Sequence, residues 1–136
     1  MSESILYVIP GDPVPLLRAR MSKGRRPWDS QKQIKMHCGL QLTQQHGSRP
    51  PFQGALHFEV AFYFPFPQAI SKAKLATMAG KLHTYRPDLS NLIKFIEDVA
   101  TGILFNDDCL IASISAKKCY DHQPRTEFII KVLHAE

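Results

Sequence analysis

Acidic, amide and ammonium side chains share one segment of the chain. In the sequence RPDLSNLIKFIEDVATG, Asp88, Asn91, Lys94 and Asp98 follow one another at spacings of three or four residues. At about 100° per residue, a helix would place these side chains in one polar sector beside an apolar stripe. Such a set could bind a hard cation and act on a phosphodiester. An ordinary amphipathic helix with an acidic first turn explains the same pattern.

A second acidic group follows this segment at Asn106-Asp107-Asp108. A chain reversal there would bring Asp107 or Asp108 back toward Asp88. Two helix acids and one turn acid would then provide the oxygen ligands that Mg²⁺ prefers, with Mn²⁺ as an alternative ion. Lys94 could neutralise negative charge in the transition state or orient the attacking water. A polar turn between two elements is the simpler interpretation of the same residues.

Basic residues exceed acidic ones, with 17 Lys and Arg against 12 Asp and Glu and a net charge of +5. Five of them lie in the Gly- and Pro-containing segment 16–28, namely Arg18, Arg20, Lys23, Arg25 and Arg26. We predict a loop whose basic side chains bind DNA phosphates, together with Arg86. A solvated surface loop without a ligand is the alternative.

The hydrophobic pattern predicts a single α+β domain over residues 1–136, in which two to three helices pack on a mainly antiparallel or mixed sheet. Strands are predicted at 4–9, 55–64, 110–120 and 126–133, and helices at about 30–45, 68–82 and 87–101. Alternating apolar residues from Leu56 to Phe64 predict one buried face of the second strand. The turn at 121–124 predicts that the last two strands form a hairpin.

Helix boundaries and core residues are also predicted. Asp29 or Ser30 is expected to cap the first helix, and Pro87 is expected to open the third. The third helix should bury an apolar stripe, and the first should bury some of its apolar residues. The stripe is Leu89, Leu92, Ile93, Ile96 and Val99, and the candidates in the first helix are Ile34, Cys38, Leu40 and Leu42.

Three cysteines, an odd and small number without paired short spacing, favour a reducing, cytoplasmic compartment. The N-terminal residues lack the basic and apolar regions of a signal peptide. No apolar run approaches the length of a membrane span.

The string RPDLSNLIKFIEDVATGILFNDD resembles the signature of RusA-type Holliday junction resolvases. The N-terminal VIPGDPVPLLRARMSKGRRPWDSQK resembles the opening strand, turn and Arg-rich loop of the same family. The resemblance implies a homodimeric, Mg²⁺-dependent endonuclease that resolves four-way DNA junctions by paired nicks and is often encoded by phages or prophages. By matching positions, Asp88 and Asp108 would bind the metal and Lys94 would be the catalytic lysine. Asn91 and Asp98 would support them.

One position departs from the family pattern, because Ser90 stands where a second acid is usual. A hydroxyl is a much poorer Mg²⁺ ligand than a carboxylate. Three outcomes are open: Asp98 and Asp107 compensate, the metal site is weakened, or the protein binds DNA junctions without cutting them well. A small basic protein whose partner is RNA or another protein is a further alternative.

Overall fold

A computed structural model of the protein describes residues 4–17, 24 and 29–134. These residues form four strands, β1 (Ser4–Pro10), β2 (Leu56–Phe64), β3 (Ile111–Tyr120) and β4 (Arg125–Val132). The same ranges contain the α-helices α1 (Lys32–His46), α2 (Lys72–Met78) and α3 (Leu89–Ala100), and a 3-10 helix at Asp108–Leu110. The predicted α+β class with a mixed sheet is confirmed.

The sheet has the order β1-β4-β2-β3, which places β2 between β3 and β4. β2 pairs parallel with β3 and antiparallel with β4. The predicted hairpin of the last two strands is therefore wrong, because β2 separates them. The turn at 121–124 carries the chain past the end of β2, where the backbone N–H of Asp121 donates to the Phe64 carbonyl at 3.0 Å. A turn pattern indicates a reversal but does not choose the neighbouring strand.

The core lies between one face of the sheet and the helices α1 and α3. The predicted face of β2 is confirmed, since all five of its apolar side chains are buried: Leu56, Phe58, Val60, Phe62 and Phe64. Residues on the opposite face of this strand, such as Glu59 and Tyr63, are exposed or half-buried. In α3, Leu92, Ile96 and Val99 are buried as predicted, whereas Leu89 and Ile93 are half-buried.

Helix α1 buries Cys38 and Leu42 as predicted, but Ile34 and Leu40 are 38% and 69% exposed. The prediction for Leu40 was wrong because two residues advance a helix by about 200°, which places Leu40 opposite Leu42. The N-cap of α1 is Gln31, which follows both predicted cap residues, Asp29 and Ser30.

The other two helices are shorter than predicted. Pro87 precedes α3 and does not open it, since Asp88 is the N-cap. Helix α2 covers seven residues of the predicted 68–82 segment. No helix in the described part of the chain is long and apolar enough to cross a membrane.

A buried polar pair joins β1 to the end of α1. The Tyr7 hydroxyl lies 2.7 Å from Nδ1 of His46, and Nε2 of His46 lies 3.0 Å from the Pro50 carbonyl. Because a carbonyl only accepts, Nε2 donates to Pro50 and Nδ1 accepts from Tyr7.

Tyr7→Phe should therefore lower the free energy of unfolding by about 1–3 kcal/mol, because it leaves Nδ1 of His46 buried without this donor. Urea denaturation followed by circular dichroism measures the effect. Tyr85→Phe is the matched control, because Tyr85 is 73% exposed. Equal stability of the two variants would contradict the prediction.

Candidate active site

Asp88 stands at the N-cap of α3 with an extended backbone, φ −67° and ψ 140°. The side chain is exposed and makes no capping hydrogen bond to the described part of the helix. Asp88, Asn91 and Arg86 line an open groove of about 500 Å³, whose other wall is segment 15–17. The N–H of Leu16 donates to the Asn91 carbonyl at 2.9 Å and so holds that wall on α3.

The polar side of α3 carries Ser90, Lys94 and Glu97, at spacings of four and three residues. In a helical projection, Glu97 lies about 20° from Ser90 and about 60° from Lys94. The buried stripe on the opposite side fixes the rotation of α3 about its axis. The side with Ser90 and Lys94 therefore faces away from the core.

The chain reverses direction directly after α3, and the turn that follows carries two acids, Asp107 and Asp108. Gly102, at φ +88°, donates its N–H to the Phe105 carbonyl at 2.7 Å, a conformation that favours glycine. Asp107 caps the short 3-10 helix by accepting from the Cys109 N–H at 2.9 Å. This hydrogen bond lowers the pKa of Asp107. Asp108 is exposed beside it.

Glu97 connects the helix to this turn. Its side chain is half-buried and borders the core beside Ile96 and Phe105. Burial raises the pKa of Glu97, the negative charge of Asp108 raises it further, and the Lys94 ammonium opposes both effects. Glu97 therefore lies within electrostatic reach of both Lys94 and Asp108. In the described part of the chain, neither Glu97 nor Asp108 has an ion-pair partner.

Glu97 was not among the residues that the sequence predicted for the site, whereas Asp98 was. Asp98 forms an ion pair with Lys35 of α1 at 2.8 Å, and Lys35 also contacts Asp29 at 2.6 Å. The structure thus places Asp98 where α3 meets α1 and places Glu97 near Asp108. The helical projection from Asp88 groups Asp98 with Asn91 and Lys94 and leaves Glu97 on the far side of the helix, so the sequence pattern favoured Asp98.

A family model described as Endodeoxyribonuclease RusA matches residues 10–131. The chain belongs to the RusA family. This finding confirms the resemblance predicted from the sequence, and it supports a nuclease. The chain is also similar to the "Uncharacterized protein YqaN" of Bacillus subtilis (strain 168), with 28% identity over 142 residues that cover 98% of this chain and 99% of that protein.

Nucleases of the RusA family are generally dependent on a divalent metal, and the carboxylates of this chain suit such an ion chemically. Within the described ranges, however, no three His, Cys, Asp or Glu side chains are close enough together to hold a metal. Nine residues separate Asp88 from Glu97, a rise of about 13 Å along the helix axis. Asp88 and Asp108 therefore lie toward opposite ends of α3.

The basic loop predicted to bind DNA lies outside the described residues, and this includes Arg18, Arg20, Lys23, Arg25 and Arg26. The start of the loop is described. Gln31 accepts a hydrogen bond from the Leu17 N–H at 2.9 Å and donates one to the Pro15 carbonyl at 2.8 Å. Because Leu17 lines the groove beside Asp88, the chain enters the basic segment from the wall of this groove. Arg86 is exposed on the same groove.

Proposed function

We propose that this protein is a Mg²⁺-dependent endodeoxyribonuclease that resolves four-way DNA junctions by paired nicks during recombination and repair. Mn²⁺ is expected to replace Mg²⁺. The main support is that Glu97 of α3 lies within electrostatic reach of both Lys94 and Asp108 in a chain of the RusA family. Asp88 begins the same helix. The acids of two separate segments thus lie toward the two ends of α3, Asp88 at its start and Asp108 near Glu97.

By the family signature, Asp88 and Asp108 are the proposed metal ligands, with Asp107 as an additional ligand from the turn. An ion shared by Asp88 and Asp108 would require their two segments to lie closer together than in this structure. The ion would supply a Lewis acid and an activated water when bound. Lys94 would stabilise the negative charge that develops on the phosphate oxygens. Glu97 would complete the acidic side of the site in place of the acid missing at Ser90. Asn91 would orient the first turn of α3 through its backbone contact with Leu16.

The groove beside Asp88 would hold the DNA backbone. Arg86 and the basic segment that starts after Leu17 would bind phosphates, which positions DNA without reading its sequence. Arg86→Ala should therefore weaken junction binding similarly for all sequences and lower the slope of log affinity against log salt by about 1. A binding affinity insensitive to salt would favour the alternative protein partner over DNA.

The decisive experiment is cleavage of a synthetic four-way junction, with end-labelled strands and with Mg²⁺, Mn²⁺ or EDTA present. We expect symmetric nicks in two opposing strands with either ion and none in EDTA. A linear duplex of the same sequence is the control and should remain uncut. A folded wild-type protein that nicks no branched DNA would refute the proposal.

Symmetric nicking of a two-fold junction is most simply performed by a two-fold dimer, so we propose a homodimer. Analytical ultracentrifugation should show twice the chain mass of 15.4 kDa. A complex that contains only one protein chain per bound junction would contradict the proposed dimer. The cytoplasmic location stays a prediction from the cysteine content.

A second candidate function follows from Ser90, namely binding to DNA junctions with weak cleavage. Under this alternative, Ser90→Asp should increase the nicking rate by about tenfold or more, because it adds a carboxylate to the polar side of α3. The rate is measured at several Mg²⁺ concentrations, with Ser90→Asn as the uncharged control. An unchanged rate and Mg²⁺ dependence would argue that the site does not need an acid at this position.

A further inference from the structure

Segment 80–88, which leads into α3, runs along the outer edge of β3. Its first half is paired through the backbone. Gly80 donates to the Tyr120 carbonyl at 2.8 Å, Tyr120 donates to Lys81 at 3.0 Å, and His83 donates to the Lys118 carbonyl at 3.0 Å. Beyond His83, no backbone hydrogen bond joins this segment to the described part of β3. The turn that presents the N-cap of α3 therefore needs another attachment.

The side chain of Lys118 provides that attachment. Its Nζ donates to the Tyr85 carbonyl at 2.7 Å and to the Pro87 carbonyl at 2.8 Å. These two carbonyls flank Arg86, and the second belongs to the peptide unit that joins Asp88. The Lys118 ammonium thus holds the segment against β3 beyond His83, where the backbone pairing ends, as far as the peptide unit of Asp88.

An ammonium is suited to this position, because it offers three donors to two carbonyls that only accept. Hydrogen bonds from a charged donor contribute more than neutral ones. The positive charge of Lys118 also acts on the neighbouring ring of His83. Burial is the larger cause that lowers the pKa of His83, and the charge of Lys118 lowers it further. Lys118 is half-buried, whereas Lys117 points to the opposite face of the sheet and is exposed.

We propose that Lys118 is a positioning residue for phosphodiester cleavage, which holds Asp88 and Arg86 in place through the backbone of the turn before α3. This proposal rests on the proposed nuclease function. Lys118 acts through the carbonyls of Tyr85 and Pro87, and its effect on catalysis is therefore indirect. Residues that orient a metal ligand without touching the metal have a comparable indirect role. Their loss typically weakens metal binding by about 10–100-fold.

The test compares Lys118→Met, Lys118→Arg and the matched control Lys117→Met, which removes the same charge from the adjacent residue. Lys118→Met should raise the Mg²⁺ concentration for half-maximal nicking by about tenfold or more. Junction binding in EDTA should fall no further than it does in Arg86→Ala, because Arg86 is the proposed phosphate contact that this turn carries. Lys118→Arg should recover most of the Mg²⁺ dependence, and Lys117→Met should match the wild type.

Hydrogen–deuterium exchange of peptides covering residues 81–92 provides a readout that does not depend on cleavage. Lys118→Met should exchange faster there, while peptides from β2 and β4 remain as protected as in the wild type. Unchanged exchange, or wild-type Mg²⁺ dependence in Lys118→Met, would overturn the proposal. If the wild type cuts no branched DNA, the nuclease function fails, and exchange still decides whether Lys118 fixes this turn. The proposal would also be overturned if these peptides exchanged as fast in Lys118→Arg as in Lys118→Met.

Discussion

Asp108→Asn is expected to slow the nicking of a four-way junction by about 100-fold or more, while junction affinity changes by less than about threefold. The substitution keeps the shape of the side chain and removes the negative charge that a divalent ion needs. It leaves Arg86 and the basic segment intact. Single-turnover cleavage with excess protein measures the rate, and gel-shift titration in EDTA measures the affinity.

Asp107→Asn is the matched control for this prediction, since it removes the same charge from the adjacent residue. Asp107 caps the 3-10 helix by accepting from the Cys109 N–H. Asparagine accepts this hydrogen bond equally well, so the turn should be preserved. Because Asp107 is proposed only as an additional ligand, we expect a smaller loss of rate than in Asp108→Asn, of about tenfold or less. An equal loss in both variants would place both acids on the ion, and no loss in Asp108→Asn would refute the site.

The sequence predicted the elements of the fold better than their pairing. The alternation in β2 identifies its buried face, because a strand with a period of two has only one way to bury five apolar residues. The strands that pair with β2 could not be predicted from this alternation, since strand pairing depends on contacts between residues far apart in the chain. β3 follows β2 through α2 and α3, and such a long connection permits the parallel pairing that the structure has.

The candidate site shows the same division between local and distant information. Asp88, Lys94 and Asp108 could be named from spacing and from the family signature. The choice between Glu97 and Asp98 could not, because it depends on where α1 docks and where Lys35 lies. The role of Lys118 could not be predicted from the sequence either. A lysine in a strand looks like a solvated side chain until the segment that crosses its edge is known.

Glu97→Gln is expected to reduce the nicking rate by about tenfold or more, and it should leave the stability of the fold unchanged or higher. The rate should fall because the variant loses a carboxylate beside Asp108 and Lys94. Stability should not fall, because burial and the charge of Asp108 raise the pKa of Glu97. A carboxyl whose pKa is higher in the folded state destabilises the fold at neutral pH when ionised, and the amide removes that charge.

Asp98→Asn should behave in the opposite way, although it alters the next residue of the same helix. It weakens the ion pair with Lys35, so the free energy of unfolding should fall by up to about 1 kcal/mol. The nicking rate at saturating Mg²⁺ should stay within about threefold of the wild type, because the side chain contacts α1 and not the turn. Urea denaturation and single-turnover cleavage of both variants separate the two roles. A slow, stable Asp98→Asn with a fast Glu97→Gln would reverse the assignment and return the second acid of the site to Asp98.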